Sequence, residues 1–221
     1  MNPKPKLLVF DLDGTLVDTL PTLLCAMNRT LEDHSFPTTS YDHLARSLGN
    51  GMEILCRRCL PAEYFDAPSV YLPFTEAYKR HYALTYADVN YPYEGFYETL
   101  DELKSRGYIL AVLSNKPHEY TVRIIEKIFG TEQFSTVFGF RPGHLTKPDP
   151  SSFLEICKIA GVSPDQSVMI GDSQPDIGVA AASGASCICV TWGYRTEDEL
   201  IADGGKIIVR STRELLSILT N

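Results

Sequence analysis

Short, continuously apolar segments recur along this chain, each about the length of one β-strand. The first covers residues 6–10, reads Lys-Leu-Leu-Val-Phe, and runs directly into Asp-Leu-Asp-Gly. An apolar run without polar alternation is typical of a strand that is buried on both faces, as in a parallel sheet. Similar runs follow at residues 108–113, 136–140, 167–170, 187–191 and 206–209. We therefore predict that these runs are the strands of one sheet.

Segments with a helical spacing of apolar residues lie between most of these runs. The predicted helices cover residues 94–106, 118–129, 151–160 and 176–183, and a glycine follows each of them. Glycine directly after a helix is a common end signal, because it adopts the left-handed conformation without strain. Strands that alternate with helices predict an α/β fold with a doubly wound, Rossmann-like and mostly parallel sheet.

The first two predicted strands are separated by far more chain than one crossover needs. A strand–helix–strand unit takes about 30 residues, whereas the first run ends at Phe10 and the second begins at Tyr108. The intervening segment shows no strand-like alternation, and helices are predicted at residues 16–33, 52–60 and 73–86. We therefore predict a core domain of residues 1–15 and 93–221, with an all-α domain of residues 16–92 inserted after the first strand.

Composition excludes several classes of protein. Hydrophobic residues make up 44% of the 221, and 20 basic against 28 acidic residues give a net charge of −8. Because no block of lysine and arginine is present, a nucleic-acid partner is not expected. The longest apolar run, residues 108–113, is far shorter than the roughly 18 residues of a membrane helix, so no membrane partner is expected. Six cysteines in a chain of this length favour a reducing, cytoplasmic setting.

Polar residues follow the predicted strands at their carboxyl ends, where open α/β sheets bind ligands. Asp11 and Asp13 come after the first strand, and as residues i and i+2 of an extended segment they point the same way. The ends of the next three strands supply further candidates: Ser114, Asn115 and Lys116, then Lys147, then Asp172 and Asp176. These residues are therefore predicted to share one site.

The residue types at this site point to a metal and a phosphate. Carboxylates gathered at one point repel each other unless a cation lies between them. Oxygen ligands without histidine or cysteine suit Mg²⁺, which is usually held by one or two carboxylates, waters and a substrate phosphate. Ser114 and Lys147 are natural partners for phosphate oxygens. One carboxylate could attack phosphorus, and a second could act as general acid and then base.

In this order and at these positions, four segments resemble the motifs of the haloacid dehalogenase superfamily. They are DLDGT at residues 11–15, Ser114, Lys147 and GDSQPD at residues 171–176. The inserted helical segment is similar to the C1-type cap domain of that family, so the resemblance covers essentially the whole chain. The second aspartate of DLDGT is absent from the true dehalogenases, and its presence implies phosphoryl transfer.

The resemblance implies a role for each motif residue. Asp11 would be the nucleophile, and Asp13 would be the general acid and base. Ser114 would hydrogen-bond the phosphoryl group, and Lys147 would neutralise charge between it and the nucleophile. The implied Mg²⁺ site comprises Asp11, Asp13 through its backbone carbonyl, Asp172, and Asp176 as a support of the metal or its waters.

Finer features resemble the phosphoglycolate phosphatases of this superfamily. They are residues 114–117 (SNKP), 48–51 (LGNG) and 192–194 (WGY). The implied substrate is a small phosphorylated metabolite, with 2-phosphoglycolate as the best single candidate. The residues expected to bind it are Ser114, Asn115, Lys116, Arg46, Gly49 and Asn50. The alternative for Arg46 is a surface side chain without a ligand, and the alternative for Gly49 and Asn50 is a flexible turn between helices.

Other functions stay open at this stage. A phosphomutase of the β-phosphoglucomutase type would use the same nucleophile, and a nucleotidase or pyrophosphatase of the same subfamily would use the same motifs. A catalytically silent binding module is the alternative from a different class. The chain is expected to be a monomer or a homodimer.

Two further patterns have structural explanations. Cys56 and Cys59 have metal-like spacing, but they stand in a predicted helix without a second pair or clustered histidines, so we expect packing rather than zinc or redox chemistry. An aromatic series at helical spacing favours packing within the all-α domain, with a dimer surface as the alternative. Its members are Tyr71, Phe74, Tyr78, Tyr82 and Tyr86.

Overall fold

The computed structural model of the chain describes residues 5–86 and 90–220. Its strands, in chain order, are β1 (Leu7–Phe10), β2 (Val17–Asp18), β3 (Tyr91–Pro92), β4 (Ile109–Pro117), β5 (Thr136–Phe140), β6 (Ser167–Gly171), β7 (Ser186–Val190) and β8 (Ile207–Val209). All except β2 and β3 form one sheet in the order β5-β4-β1-β6-β7-β8, and every pairing in it is parallel. The predicted α/β fold with a parallel sheet is confirmed.

The helices surround this sheet and fill the long insertion. In chain order they are α1 (Leu20–Asp33), α2 (Tyr41–Ser47), α3 (Met52–Cys59), α4 (Pro68–Thr85), α5 (Phe96–Ser105), α6 (His118–Phe129), α7 (Ser151–Ala160), α8 (Gln174–Ser183), α9 (Glu197–Ala202) and α10 (Thr212–Thr220). We call α1 to α4 the cap helices. None of the helices in the described residues has both the length and the apolar character that a membrane span requires.

Strand β1 lies at the centre of the sheet, and all four of its residues are buried. Leu8 and Phe10 pack in one cluster with α5, α6 and α10, whereas Leu7 and Val9 pack in another with α7 and α8. Because both faces of β1 are covered by helices, alternation between apolar and polar residues is absent from its sequence. The sheet is therefore doubly wound, with helices packed on both of its faces.

The cap helices have a hydrophobic cluster of their own. Phe74, Tyr78 and Tyr82 of α4 are fully buried in it, packed against α1 residues such as Leu20 and Met27. The aromatic spacing in α4 therefore reflects packing, as the sequence predicts. Tyr78 and Tyr82 also reach the cavity described below.

The segment that enters the cap differs from its prediction. A helix over residues 16–33 is wrong at its start, because Val17 pairs in antiparallel fashion with Pro92 and the helix begins only at Leu20. Pro21 fits this start, since proline needs no N–H partner in the first turn of a helix. The two-stranded ribbon of β2 and β3 thus carries both connections between the sheet and the cap helices.

Other element boundaries also differ from the sequence expectation. Helix α4 begins at Pro68, five residues before the predicted start at Pro73, and therefore contains Pro73 in its interior. Helices α2, α9 and α10 were not predicted, because they are short or lack a long apolar period. Strand β4 continues to Pro117, beyond the predicted end at residue 113, so three candidate site residues lie within it.

Four of the six cysteines are buried and pack inside the protein. All six are free thiols. Cys56 and Cys59 are buried in α3, and burial raises the pKa of both, that of Cys59 to about 12. Because reactive and metal-bound cysteines are thiolates, raised pKa values argue against either role for this pair.

Candidate active site

Neighbouring strands bring the candidate residues to one edge of the sheet. Phe10 of β1 lies level with Val112 of β4 on one side and with Ile170 of β6 on the other. Parallel strands point their carboxyl ends at the same edge of the sheet, so the residues that follow these three paired positions lie near one another. They are Asp11 and Asp13, Ser114 to Lys116, and Asp172.

The ammonium group of Lys147 lies between two carboxylates. Its Nζ is 3.0 Å from Oδ1 of Asp11 and 2.6 Å from Oδ1 of Asp176, and the Lys147 side chain is only 2% exposed. Burial opposes the charge of Lys147, but the two carboxylates outweigh it and hold the lysine pKa above its usual value. Lys147 therefore carries a positive charge next to Asp11.

Asp11 has one occupied and one free carboxylate oxygen. Its Oδ1 accepts hydrogen bonds from the backbone N–H of Leu12, at 2.7 Å, and lies beside the ammonium of Lys147. Its Oδ2 accepts no hydrogen bond from the described residues, which leaves that oxygen available as a nucleophile. Burial raises the pKa of Asp11; Lys147 opposes the rise, whereas the carboxylates of Asp172 and Asp176 reinforce it.

Asp13 is oriented by two donors. Lys116 Nζ lies 2.7 Å from Asp13 Oδ1, and the hydroxyl of Thr19 donates to the same oxygen at 2.5 Å. The Lys116 side chain is 4% exposed; burial opposes its charge, but Asp13 and then Tyr82 outweigh this and raise the lysine pKa. Thr19 was missed by the sequence analysis, because its contact depends on the β2 turn that was predicted as helix.

Asp172 follows β6 and is bound by the chain on both of its oxygens. Its Oδ2 accepts the backbone N–H of Tyr194 at 2.7 Å, and its Oδ1 accepts the hydroxyl of Thr15 at 3.3 Å. Burial, together with the neighbouring carboxylate of Asp176, raises its pKa to about 7. Gly14 approaches so closely that a Cβ there would lie 2.4 Å from Asp172 Oδ2.

Three buried carboxylates lie close enough together to hold a divalent cation. One oxygen from each of Asp11, Asp172 and Asp176 lies within 4.8 Å of the others, and all three residues are buried. Asp176 is already bound by Lys147 and by both donors of Ser173, so it supports the group from behind rather than offering free oxygens. A buried site of carboxylate oxygens without histidine or cysteine suits Mg²⁺.

The cap helices close a cavity over this edge of the sheet. The predicted catalytic residues Asp11, Asp13, Ser114 and Lys147 line its core side. Its cap side is formed mainly by apolar or aromatic side chains: Leu23, Leu48, Met52, Leu55, Tyr78 and Tyr82. The cavity thus combines a charged floor with an apolar roof.

Asn115 is placed at the cavity but has its amide engaged within the protein. Its Oδ1 accepts the backbone N–H of Lys147 at 2.7 Å. Its Nδ2 donates to the carbonyl of Lys147 at 3.0 Å and to that of Gly49 at 2.8 Å. Asn115 therefore fastens the Lys147 loop and joins the core to the cap, while its expected contact with substrate stays a prediction.

The structure separates the other residues that were expected to bind substrate. Gly49 and Lys116 line the cavity, whereas Arg46 and Asn50 are exposed and do not line it. Arg46 instead borders a shallow surface depression together with Arg57 and Arg58. A substrate contact by Arg46 or Asn50 remains a prediction that this arrangement does not support.

Arg195 is a second link between core and cap that the sequence analysis missed. Its guanidinium donates to the carbonyls of Ala45 at 2.9 Å, Arg46 at 3.0 Å and Leu48 at 3.1 Å. These carbonyls belong to the end of α2 and the residue after it, where no following helical turn supplies N–H donors. The neighbouring Tyr194 adds to the link, because its hydroxyl accepts the backbone N–H of Thr19 at 3.0 Å. The WGY segment gave the only sequence signal here.

Comparison with known proteins agrees with this geometry. The model of the haloacid dehalogenase-like hydrolase family matches residues 8–190, which is most of the chain. The chain belongs to this family. Among curated members, the phosphoglycolate phosphatase of Pseudomonas putida is 32% identical over 219 residues, covering 96% of this chain and 79% of its own. That of Haemophilus influenzae is also 32% identical, over 99% of this chain and 100% of its own.

Solved structures of similar chains have the same fold. A predicted phosphoglycolate phosphatase from Haemophilus somnus superimposes with a TM-score of 0.89 at 30% identity, covering 98% of each chain. A protein from Lactobacillus delbrueckii subsp. bulgaricus reaches a TM-score of 0.92 at 28% identity, covering 98% of this chain and 99% of its own. The family and these relatives together support a phosphatase, a hydrolase of phosphoric monoesters, among the haloacid dehalogenase-like hydrolases.

Proposed function

We propose that this haloacid dehalogenase-like hydrolase is a Mg²⁺-dependent phosphatase that cleaves a small phosphomonoester through an aspartyl-phosphate on Asp11. The observation that carries the proposal is the free Oδ2 of Asp11 in a cavity that it shares with Lys147, Asp13 and Ser114. A nucleophile, a fixed positive charge, a second carboxylate and a hydroxyl donor are thus gathered around one space. These are the groups that a two-step phosphoryl transfer to water requires.

In the first step Asp11 Oδ2 attacks phosphorus, and the bond between phosphorus and the leaving oxygen breaks. The carboxylic acid form of Asp13 gives its proton to that oxygen, so the alcohol leaves neutral. Lys147 and the hydroxyl of Ser114 stabilise the negative charge on the phosphoryl oxygens. Stabilisation of this charge and correct positioning supply most of the catalysis in phosphoryl transfer.

In the second step a water molecule attacks the phosphorus of the aspartyl-phosphate. The carboxylate form of Asp13 takes a proton from this water, and the acyl-phosphate bond breaks to restore Asp11 and release inorganic phosphate. Asp13 accepts hydrogen bonds from Lys116 and Thr19, which hold it beside the nucleophile. One residue thereby serves as acid and then as base.

Asp11, Asp172 and the backbone carbonyl of Asp13 would hold Mg²⁺, with Asp176 behind them. When bound, Mg²⁺ supplies positive charge that offsets the carboxylates and the phosphate oxygens. Burial, and after it the neighbouring carboxylate of Asp176, raises the pKa of both Asp11 and Asp172, which supports a cation at this point.

The shape of the cavity favours a small substrate. Its cap side is closed by apolar side chains and is fastened to the core through Asn115 and Arg195. We propose 2-phosphoglycolate as the substrate because curated relatives about 30% identical are named phosphoglycolate phosphatases. We further propose that residues 16–92 act as a cap that opens for substrate entry and closes to exclude water. The cytoplasmic setting and the monomeric or homodimeric state stay predictions.

The test is phosphate release from a panel of phosphomonoesters, measured with Mg²⁺ and with EDTA. The panel comprises 2-phosphoglycolate, sugar phosphates, nucleoside monophosphates and pyrophosphate. We expect 2-phosphoglycolate to be the best substrate, and turnover to disappear with EDTA and in Asp11→Asn. Asp165→Asn, at an exposed position, is the matched control and should retain full activity.

A trapping experiment tests the intermediate. Asp13→Asn keeps the nucleophile but lacks both the acid of the first step and the base of the second. With p-nitrophenyl phosphate, whose leaving group departs without a proton, the first step should still occur, so a phosphorylated protein should accumulate and gain the mass of one phosphoryl group. Digestion should place that group on Asp11. Full activity of Asp11→Asn, or turnover that is unchanged by EDTA, would refute the proposal. A product that is an isomeric sugar phosphate, formed only with a bisphosphate primer, would identify a phosphomutase instead.

A further inference from the structure

Two tyrosines of α4 form part of the cavity roof. Tyr78 and Tyr82 are four residues apart, lie on one face of the helix, and are fully buried. Their rings stack with centroids 5.9 Å apart and an interplanar angle of 16°. Both residues line the cavity above the catalytic carboxylates. The two stacked rings therefore form a fixed part of the cap side of the cavity.

Neither hydroxyl has a hydrogen-bond partner within the described part of the chain. The ammonium of Lys116 opposes the rise in the pKa of Tyr82 that burial causes, so the two groups face each other. A buried polar group without a partner costs folding free energy, and most such groups in proteins are satisfied. Two unpartnered hydroxyls in one cavity wall, on stacked side chains, indicate that a bound molecule supplies the missing acceptor.

Lys116 adds a positive charge at the same end of the cavity. Its Nζ lies 5.1 Å from the centroid of the Tyr82 ring and 2.7 Å from Oδ1 of Asp13. Cap side chains that line the same cavity, such as Leu23, Leu48 and Met52, are apolar. Two phenol donors and one ammonium in an apolar setting are suited to an anionic acceptor, because hydrogen bonds to charged groups are the stronger ones.

We propose that Tyr78, Tyr82 and Lys116 form a carboxylate-binding subsite that selects phosphorylated short-chain hydroxy acids. The inference rests on the proposed function and deepens it, because it names the groups that would recognise the non-phosphate end of the substrate. A carboxylate offers several lone pairs and can accept from both hydroxyls at once. The phosphoryl end would lie at Asp11, and the carboxylate would fill the position of the missing acceptor under the cap.

The experiment compares three two-carbon phosphomonoesters that differ only at the far end. They are 2-phosphoglycolate with a carboxylate, 2-hydroxyethyl phosphate with a hydroxyl, and ethyl phosphate with neither. The variants are Tyr78→Phe and Tyr82→Phe, which remove one oxygen and keep the ring. Tyr71→Phe is the matched control, because Tyr71 lies on the same helix but does not line the cavity.

The readout is the ratio of kcat/KM for 2-phosphoglycolate to kcat/KM for ethyl phosphate. We expect each cavity variant to lower this ratio by about 10- to 100-fold, the loss of one hydrogen bond to a charged group. The control should leave the ratio unchanged. Because the removed hydroxyls accept or donate no hydrogen bond among residues 5–86 and 90–220, we expect the Tm of Tyr78→Phe and Tyr82→Phe to stay equal or rise.

An unchanged ratio in both cavity variants would overturn the subsite. So would a larger fall for 2-hydroxyethyl phosphate than for 2-phosphoglycolate, which would assign the hydroxyls to a neutral acceptor. If the wild-type protein released no phosphate from any of the three, the proposed function would fail by itself. The subsite would then be tested by binding of the three compounds to Asp11→Asn, measured as the rise in Tm that each compound causes. A larger rise with 2-phosphoglycolate than with the other two, removed by adding Tyr78→Phe, would support the subsite. An equal rise with all three would refute it.

Discussion

Asn115 offers a sharp test of how this site is held together. Its side chain is buried and makes three hydrogen bonds to backbone groups: two to Lys147 and one to Gly49. Asn115→Ala leaves all three groups without that partner. At about 1 kcal/mol for each bond, the loss is ~3 kcal/mol of unfolding free energy. For a chain of this length that corresponds to a fall in Tm of about 6–12 °C.

The assay is urea unfolding followed by circular dichroism, with a thermal melt in the same buffer. Asn50→Ala is the matched control, because Asn50 is exposed, and it should change stability by less than about 0.5 kcal/mol. The midpoint of Asn115→Ala should fall with an unchanged m-value, which reports lost stability rather than a changed unfolded state. We also expect reduced turnover, because the backbone of Lys147 loses its anchor. A loss of stability no larger than in the control would refute the reasoning.

Three further predictions concern the charged floor of the cavity. Gly14→Ala should lower stability in urea melts by about 1–3 kcal/mol through backbone strain, and it should also reduce phosphate release because the new Cβ displaces Asp172. Gly107→Ala is its control, because Gly107 has a similar positive φ but open space around it. This control should lose stability without loss of phosphate release. Lys147→Met should lower kcat by about 100-fold or more, because the phosphoryl charge loses its cation. In urea melts without metal it should also lower the unfolding free energy by about 3–5 kcal/mol, because Asp11 stays buried without its cation. A variant as active and stable as wild type would contradict both expectations. The raised pKa of Asp172, about 7, means that the folded protein binds more protons than the unfolded chain between pH 4 and pH 7. Proton binding therefore stabilises the fold at low pH, and this stabilisation is lost as the pH rises through 7. Mg²⁺ should consequently raise Tm more at pH 8 than at pH 5, and an equal rise at both would refute the assignment.

Much of the core could be predicted because its signals are local. A strand that is buried on both faces must be apolar throughout, so Leu7–Phe10 is recognisable from its composition alone. The direction of parallel strands then places Asp11 and Asp172 at one edge without any knowledge of the packing. The start of α1 was wrong for the opposite reason: the pairing of Val17 with Pro92 joins positions far apart in the chain, and no local pattern encodes it.

The amino-acid sequence by itself determined the alternation of strands and helices, the long helical insertion, and the polar residues that follow each strand. These depend on the periodicity of one segment or on the order of segments, which a chain carries in one dimension. Only the tertiary structure decided which side chains meet across the cavity. Asn115 joins the core to the cap, Arg46 lies away from the cavity, and Tyr78 and Tyr82, whose hydroxyls lack a hydrogen-bond partner among the described residues, form part of its roof. Such contacts depend on how the cap helices pack over the sheet, and helical spacing reveals which face is buried but not what that face will touch.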